Sequence, residues 1–217
     1  MDEISICFDE LGRKNFEFLD SKTNHFDLDE NESSEKRMIT IVLTTLADGT
    51  LLPSLLICPR TSSFLRIKKH FNITLNLKED HQEMDNQSMK KCIWDILKPH
   101  NPGEKLVVLR EAHAIHKQAV ELLLEISCKY VTIPRGFRSL LQPMEAWTYE
   151  RPSVKKCLTD LLSEEWTEWH QRQMSNNQEK FSEQVLIDLI SRALLKLSNE
   201  RELIRNVCIF RIIYILL

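Results

Sequence analysis

Three acids define the chemistry this chain could carry, and two of them sit in short, recognisable settings. Glu111 opens Glu111-Ala-His-Ala-Ile-His116, just after the apolar run Leu106 to Leu109, and Glu145 closes Ser139-Leu-Leu-Gln-Pro-Met-Glu145, shortly after Tyr130-Val-Thr-Ile-Pro134. Each of these acids falls at or just beyond the end of an expected strand, and Asp2 lies beside the first one. Carboxylates are hard oxygen donors, so a converging group of them suits Mg²⁺ or Mn²⁺ better than softer metals. His113 and His116 are spaced so that both rings can meet on one helical turn, which is a zinc-ligand spacing, but no third ligand lies near them in the sequence.

Composition limits the partners. The chain has 217 residues, 42% hydrophobic content and a formal net charge of −3, which fits one full core without a global basic field. Any nucleic-acid contact must then use local basic clusters: Arg60, Arg66, Lys68 and Lys69; Arg135 and Arg138; Lys155 and Lys156. Solvated surface is the plainer role for each cluster. The six cysteines stand singly with no Cys-x-x-Cys pair, as expected of free thiols in a reducing compartment. Met1-Asp2-Glu3 is acidic where a signal peptide would start basic, so cytosol or nucleus is expected.

The elements that must position these residues follow from pattern. Ile4 to Phe8, Met38 to Leu46 and Leu51 to Ile57 are β-prone, and Asp48-Gly49 between the last two is a strong hairpin signal. The polar stretch 9–37, with its acidic run Asp27 to Glu35, and the stretch 59–104 are expected to be loop-rich connections. The second of these holds one amphipathic helix near Ser88 to Leu97, with Met89, Ile93 and Ile96 on a shared face. The unbroken apolar run before Glu111 predicts a buried strand over Lys105 to Leu109. A helix from Lys117 to Ile126 and a strand from Lys129 to Ile133 complete a β-α-β unit, expected to cross over right-handed and parallel.

Two amphipathic helices follow, Ser153 to Arg172 and Glu183 to Leu197. Trp147, Trp166 and Trp169 could stack on bases, but the last two lie near a helix face and are expected in the core or on a partner surface. Val207 to Leu217 is an apolar tail interrupted by Arg211. It is far short of the about 20 apolar residues that span a bilayer, so no membrane partner is expected. Nothing polar closes this end, as expected of a truncated or alternatively spliced product.

The order and content of these segments resemble the pogo/Tigger branch of the DDE transposases. Asp2-Glu-Ile-Ser5 is similar to the family's Asp-Glu-Thr or Asp-Glu-Val opening, and Ile41 to Pro53 to its second-to-third strand hairpin. Glu111 to His116 stands where the family reads Asp-Asn-Ala-Pro-Ser-His or Asp-Cys-His-x-x-His, and Leu141-Gln-Pro-Met-Glu145 where it reads Leu-Ile-Gln-Pro-Met-Asp. The His-x-x-His is thus expected to be a structural part of the strand-to-helix turn.

The resemblance implies an α/β fold, an RNase H-like mixed sheet with flanking helices and a C-terminal helical extension. On this reading residues 1–206 form the domain, its first strand clipped at Met1, and 207–217 the tail. It also implies that Asp2, Glu111 and Glu145 are the ancestral catalytic and metal-ligating acids, which in active relatives hold two divalent ions about 3.5 to 4 Å apart for attack on a phosphodiester.

The acids have changed, however. Glu at the second position adds one C–C bond, about 1.5 Å, to a ligand whose placement matters at about half an ångström. Arg110 beside it could pair with an acid of the site or simply face outward. A domesticated, catalytically inactive domain is therefore expected, nuclear, needing no cofactor, with Mg²⁺ or Mn²⁺ relevant only to residual activity. Its expected partners are DNA, bound weakly and without sequence preference through Arg135 and Arg138 near the third acid, and chromatin or other nuclear proteins. A Mg²⁺-dependent DNA endonuclease or strand transferase is the alternative, and a nonfunctional truncated fragment the second.

Overall fold

The computed structural model describes residues 1–7, 38–79, 84–100, 107–111, 117–133, 136–137, 141–145, 152–176 and 181–216. Four strands make one sheet in the order of the chain: β1 (Asp2–Cys7), β2 (Met38–Leu43), β3 (Ser54–Pro59) and β4 (Ile73–Lys78). The first two pairings are antiparallel, with Asp2 opposite Leu43 and Ile41 opposite Leu56, and the third is parallel, with Ser54 opposite Ile73.

Strand side chains alternate between faces, so β1 points Ile4 and Ile6 into one core with Ile39, Ile41, Leu43, Leu56 and Cys58. Val42, Leu55 and Ile57 point the other way, into a second core. Both faces are covered, which is why β2 and β3 read as nearly unbroken apolar runs.

The expected hairpin between β2 and β3 is present. Leu46 N–H donates to the Thr50 carbonyl at 2.8 Å, Asp48 Oδ1 accepts from Thr50 N–H at 2.8 Å, and Gly49 has φ 92°. A Cβ at Gly49 would also lie 2.3 Å from the Arg201 carbonyl oxygen. Glycine is therefore needed both for the left-handed turn and for close approach of the neighbouring chain.

The described part of the stretch 59–104 holds a strand as well as the expected helix. It contains β4, where Ile73, Leu75 and Leu77 alternate with Thr74, Asn76 and Lys78 and meet the first core. Residues 60–72 are long enough for a parallel return, and the connection is pinned by buried Phe64 and by Asn72, which exchanges hydrogen bonds with Ser191 at 2.8 Å each. The expected amphipathic helix is α1 (Asn86–Cys92), continuing through a wider turn to Leu97. Met89, Cys92, Ile93, Ile96 and Leu97 cover the second face of the sheet.

A separate two-stranded sheet pairs β5 (Val107–Glu111) with β6 (Lys129–Ile133) in parallel, Glu111 opposite Ile133, with α2 (Lys117–Glu125) between them in sequence. The expected parallel β-α-β unit is thus seen, and its strand ends at the acid, two residues beyond the expected Leu109. Leu123, Ile126 and Cys128 join the second core.

The first core is closed by α3 (Val154–Asn176), α4 (Glu183–Asn199) and α5 (Arg201–Leu216). The expected apolar positions Val154, Leu158, Leu162, Leu186, Ile190, Ala193, Leu194 and Leu197 are buried there. Helix α5 runs unbroken across the expected 206/207 boundary, and Val207 and Cys208 are buried, so at least these two tail residues pack with the domain. Cys58, Cys92, Cys128 and Cys208 are buried and not in disulfides, and burial pushes the Cys58 thiol up to about 12. The architecture is mixed α/β, as the sequence led us to expect. Among the described residues no helix is long and apolar enough to cross a membrane.

Candidate functional site

Two of the three predicted acids come together, and a lysine holds them. Asp2 starts β1 on the face that carries Ile4 and Ile6, and its carboxylate is buried under the start of α3. Glu145 ends a tight turn in which its N–H donates to the Gln142 carbonyl at 3.1 Å. Met144, one residue earlier, is buried in the first core, and its carbonyl accepts from the Lys155 N–H at 3.1 Å. That bond satisfies one of the free N–H groups at the start of α3. It also stitches the Gln142-Pro-Met-Glu145 turn to the helix.

Lys155 Nζ lies 2.5 Å from Asp2 Oδ2 and 2.7 Å from Glu145 Oε1. The side chains are 17%, 7% and 20% exposed in the order Lys155, Asp2, Glu145, so bulk water screens the charges little. Asp2 Oδ1 also accepts from the Glu3 N–H at 2.8 Å. The first turn of a helix favours acids and disfavours cations; here the acids come from β1 and the preceding turn and neutralise a lysine placed against the dipole.

Glu111 is the last residue of β5, and the description there covers its backbone only. Arg110 is likewise placed by its backbone. Arg135, Arg138, His113, His116, Trp147 and the acidic run 27–35 lie outside the described residues. Of the remaining basic residues, Arg60, Arg66, Lys68 and Lys69 are exposed, with Arg60 paired to Glu79 at 3.5 Å. Lys156 is exposed and paired with Asp160, one helical turn along. Trp166 packs against the first core, with its ring 5.2 Å from Trp169 and 5.0 Å edge-on from Phe181. This is the core position expected of it.

Lys155 was legible only as a member of a basic cluster, not as a site residue. The signal that could have found it is its place in the first turn of a helix directly after the Glu145 motif, where a cation needs a compensating acid. A second ion cluster, also missed, ties α3 to α4: Glu165 is almost fully buried and pairs with Arg192 Nε at 2.6 Å and Lys196 Nζ at 2.8 Å. Burial works to raise the Glu165 pKa, but these two cations outweigh it and hold the carboxyl below its usual range.

The Asp2 and Glu145 arrangement does not fit a divalent ion. Mg²⁺ requires oxygens at about 2.0 to 2.1 Å in octahedral array, and here an amine occupies the space between the two carboxylates. Among the described residues no group of three or more His, Cys, Asp or Glu side chains is placed to hold a metal. As it stands, the arrangement is an ion-pair anchor joining β1, the 142–145 turn and α3. Comparison with family models, with curated proteins and with solved structures finds no match for this chain.

Proposed function

We propose that this chain is a domesticated, catalytically inactive pogo-type DDE transposase domain of RNase H-like fold, working in the nucleus as a DNA- and chromatin-associated interaction module. The observation that carries this reading is the meeting of Asp2 and Glu145 on one ammonium. The family resemblance joins the same two acids, far apart in the chain, into one site. The antiparallel β1-β2-β3 order followed by a parallel β5-β6 pair is compatible with the RNase H-like arrangement.

Inactivity follows from the cation already seated between two of the ancestral acids and from the longer side chain at Glu111. What supports nucleic-acid association is charge. Arg66, Lys68 and Lys69 are exposed in the segment between β3 and β4, and no acid lies between Pro59 and Lys78. Such a segment neutralises phosphates without reading bases.

Supercoiled plasmid incubated with the protein and Mg²⁺ or Mn²⁺ tests the reading. Nicking is expected to be no greater than for the Asp2→Ala, Glu111→Ala, Glu145→Ala triple variant. Nicking by the unaltered protein that disappears in that variant establishes the endonuclease alternative instead.

A further inference from the structure

We propose that Lys155 is the resident cation of the Asp2 and Glu145 pair, a tethered ammonium that takes the place of a divalent ion and excludes one. The inference rests on the ancestral reading only for the history of the acids; the lock itself stands on geometry.

Three features support it. The 2.7 Å contact of Nζ with Glu145 Oε1 is a charge-assisted hydrogen bond from an ammonium, and its 2.5 Å contact with Asp2 Oδ2 is an ion pair. A metal would require the amine to leave and the oxygens to close in. The lysine is also attached to a helix whose first turn is itself fixed, by the Lys155 N–H bond to Met144. A tethered cation acts at an effective concentration of about millimolar or more, and the backbone that carries this one is held in place. Finally, the Asp2 and Glu145 side chains are 7% and 20% exposed, so removing the cation takes a charge partner from two acids that water screens little.

The fold consequence is that no metal is needed to hold the start of β1 against α3. The functional consequence is that the site stays closed to divalent ions at cellular concentrations. Lys155 is here a positioning residue, with no catalytic part.

Thermal unfolding in EDTA and in millimolar Mg²⁺ or Mn²⁺ is the test. The midpoint of the unaltered protein is expected to be the same in all three. Lys155→Gln is expected to unfold roughly 10 °C lower in EDTA and to recover part of that loss in Mn²⁺. If Lys155→Gln does not fold, reductive methylation of the unaltered protein, read by mass spectrometry, decides. Lys155 should be labelled far more slowly than Lys156, whose side chain is 61% exposed, and Mn²⁺ should leave that rate unchanged.

A midpoint of the unaltered protein that rises with Mn²⁺, faster Lys155 labelling in its presence, or a Lys155→Gln variant as stable as the parent in EDTA would each overturn the proposal. These results are separate from the nicking assay. A protein with no DDE ancestry could still show the lock.

Discussion

Lys155 Nζ and Asp2 Oδ2, carried by residues far apart in the chain, lie 2.5 Å apart beneath the first turn of α3. The contact closes the first core at the start of β1, and Glu145 completes it from the other side. Removing either acid leaves the ammonium with a single partner. Because Asp2 is 7% and Glu145 20% exposed, the deeper acid should matter more. Asp2→Asn is expected to cost about 3 kcal/mol and Glu145→Gln distinctly less, both measured by urea unfolding at neutral pH. Equal, negligible losses would mean that the contact contributes little to folding.

Gly49 and Arg201 give a second stability test. Gly49→Ala must adopt φ 92° and place a Cβ 2.3 Å from a backbone oxygen, so a loss of about 2 kcal/mol or more is expected from strain and displacement together. Arg201 also reaches Thr50 Oγ1 at 3.3 Å from the same helix start. Thermal unfolding of Gly49→Ala reads the whole effect. A variant as stable as the parent would show that the hairpin tip does not pack on α5 as described.

Asp85 makes stability depend on acid pH. It caps α1, accepting from the Ser88 N–H at 2.8 Å and Ser88 Oγ at 2.7 Å, and pairs with Lys78 at 2.9 Å. Burial acts to raise its pKa, but the Ser88 bonds and Lys78 prevail and hold it at about 2, below the ordinary 3.8. A depressed folded-state pKa stabilises above the unfolded value and loses that contribution as pH falls through the folded one. Asp85 is half in solvent, so Asp85→Ala should cost only about 1 kcal/mol at neutral pH. Unfolding midpoints of parent and variant should converge between the ordinary value of 3.8 and about 2. A gap that persists at the acid end of that window would assign the stabilisation to something other than the charge.

DNA association, if it uses phosphates alone, should be weak and should fall steeply with salt. Arg66→Glu with Lys69→Glu, and separately Arg135→Glu with Arg138→Glu, are expected to lower affinity by a similar factor on unrelated sequences. Mobility-shift titrations on two unrelated duplexes at two salt concentrations measure this. Sequence-selective nanomolar binding at physiological salt would require a base-reading element outside this account.

How much was legible depended on whether the signal was local. The hairpin could be read because Asp48-Gly49 is a short-range turn signal, and β6 because its apolar run is bounded on both sides. Strand β4 could not, because its six residues sit in polar surroundings and their partner β3 is reached only through a parallel return. The acids Asp2 and Glu145 were found through motif frames that survive sequence change. Lys155 was not, since it stands next to Lys156 and looks the same in sequence. Successive residues on a helix point about 100° apart, and that rotation alone sends one ammonium inward to two buried acids and the other out to Asp160. Only tertiary packing distinguishes them.

On the proposal above, Lys155 Nζ and not a divalent ion sits between Asp2 and Glu145. Crystals grown in millimolar Mn²⁺ and measured at the manganese edge test it directly. The expected result is Lys155 Nζ between the two carboxylates with no anomalous peak there. An anomalous peak bound by Asp2 and Glu145, with the Lys155 side chain turned away, would contradict it.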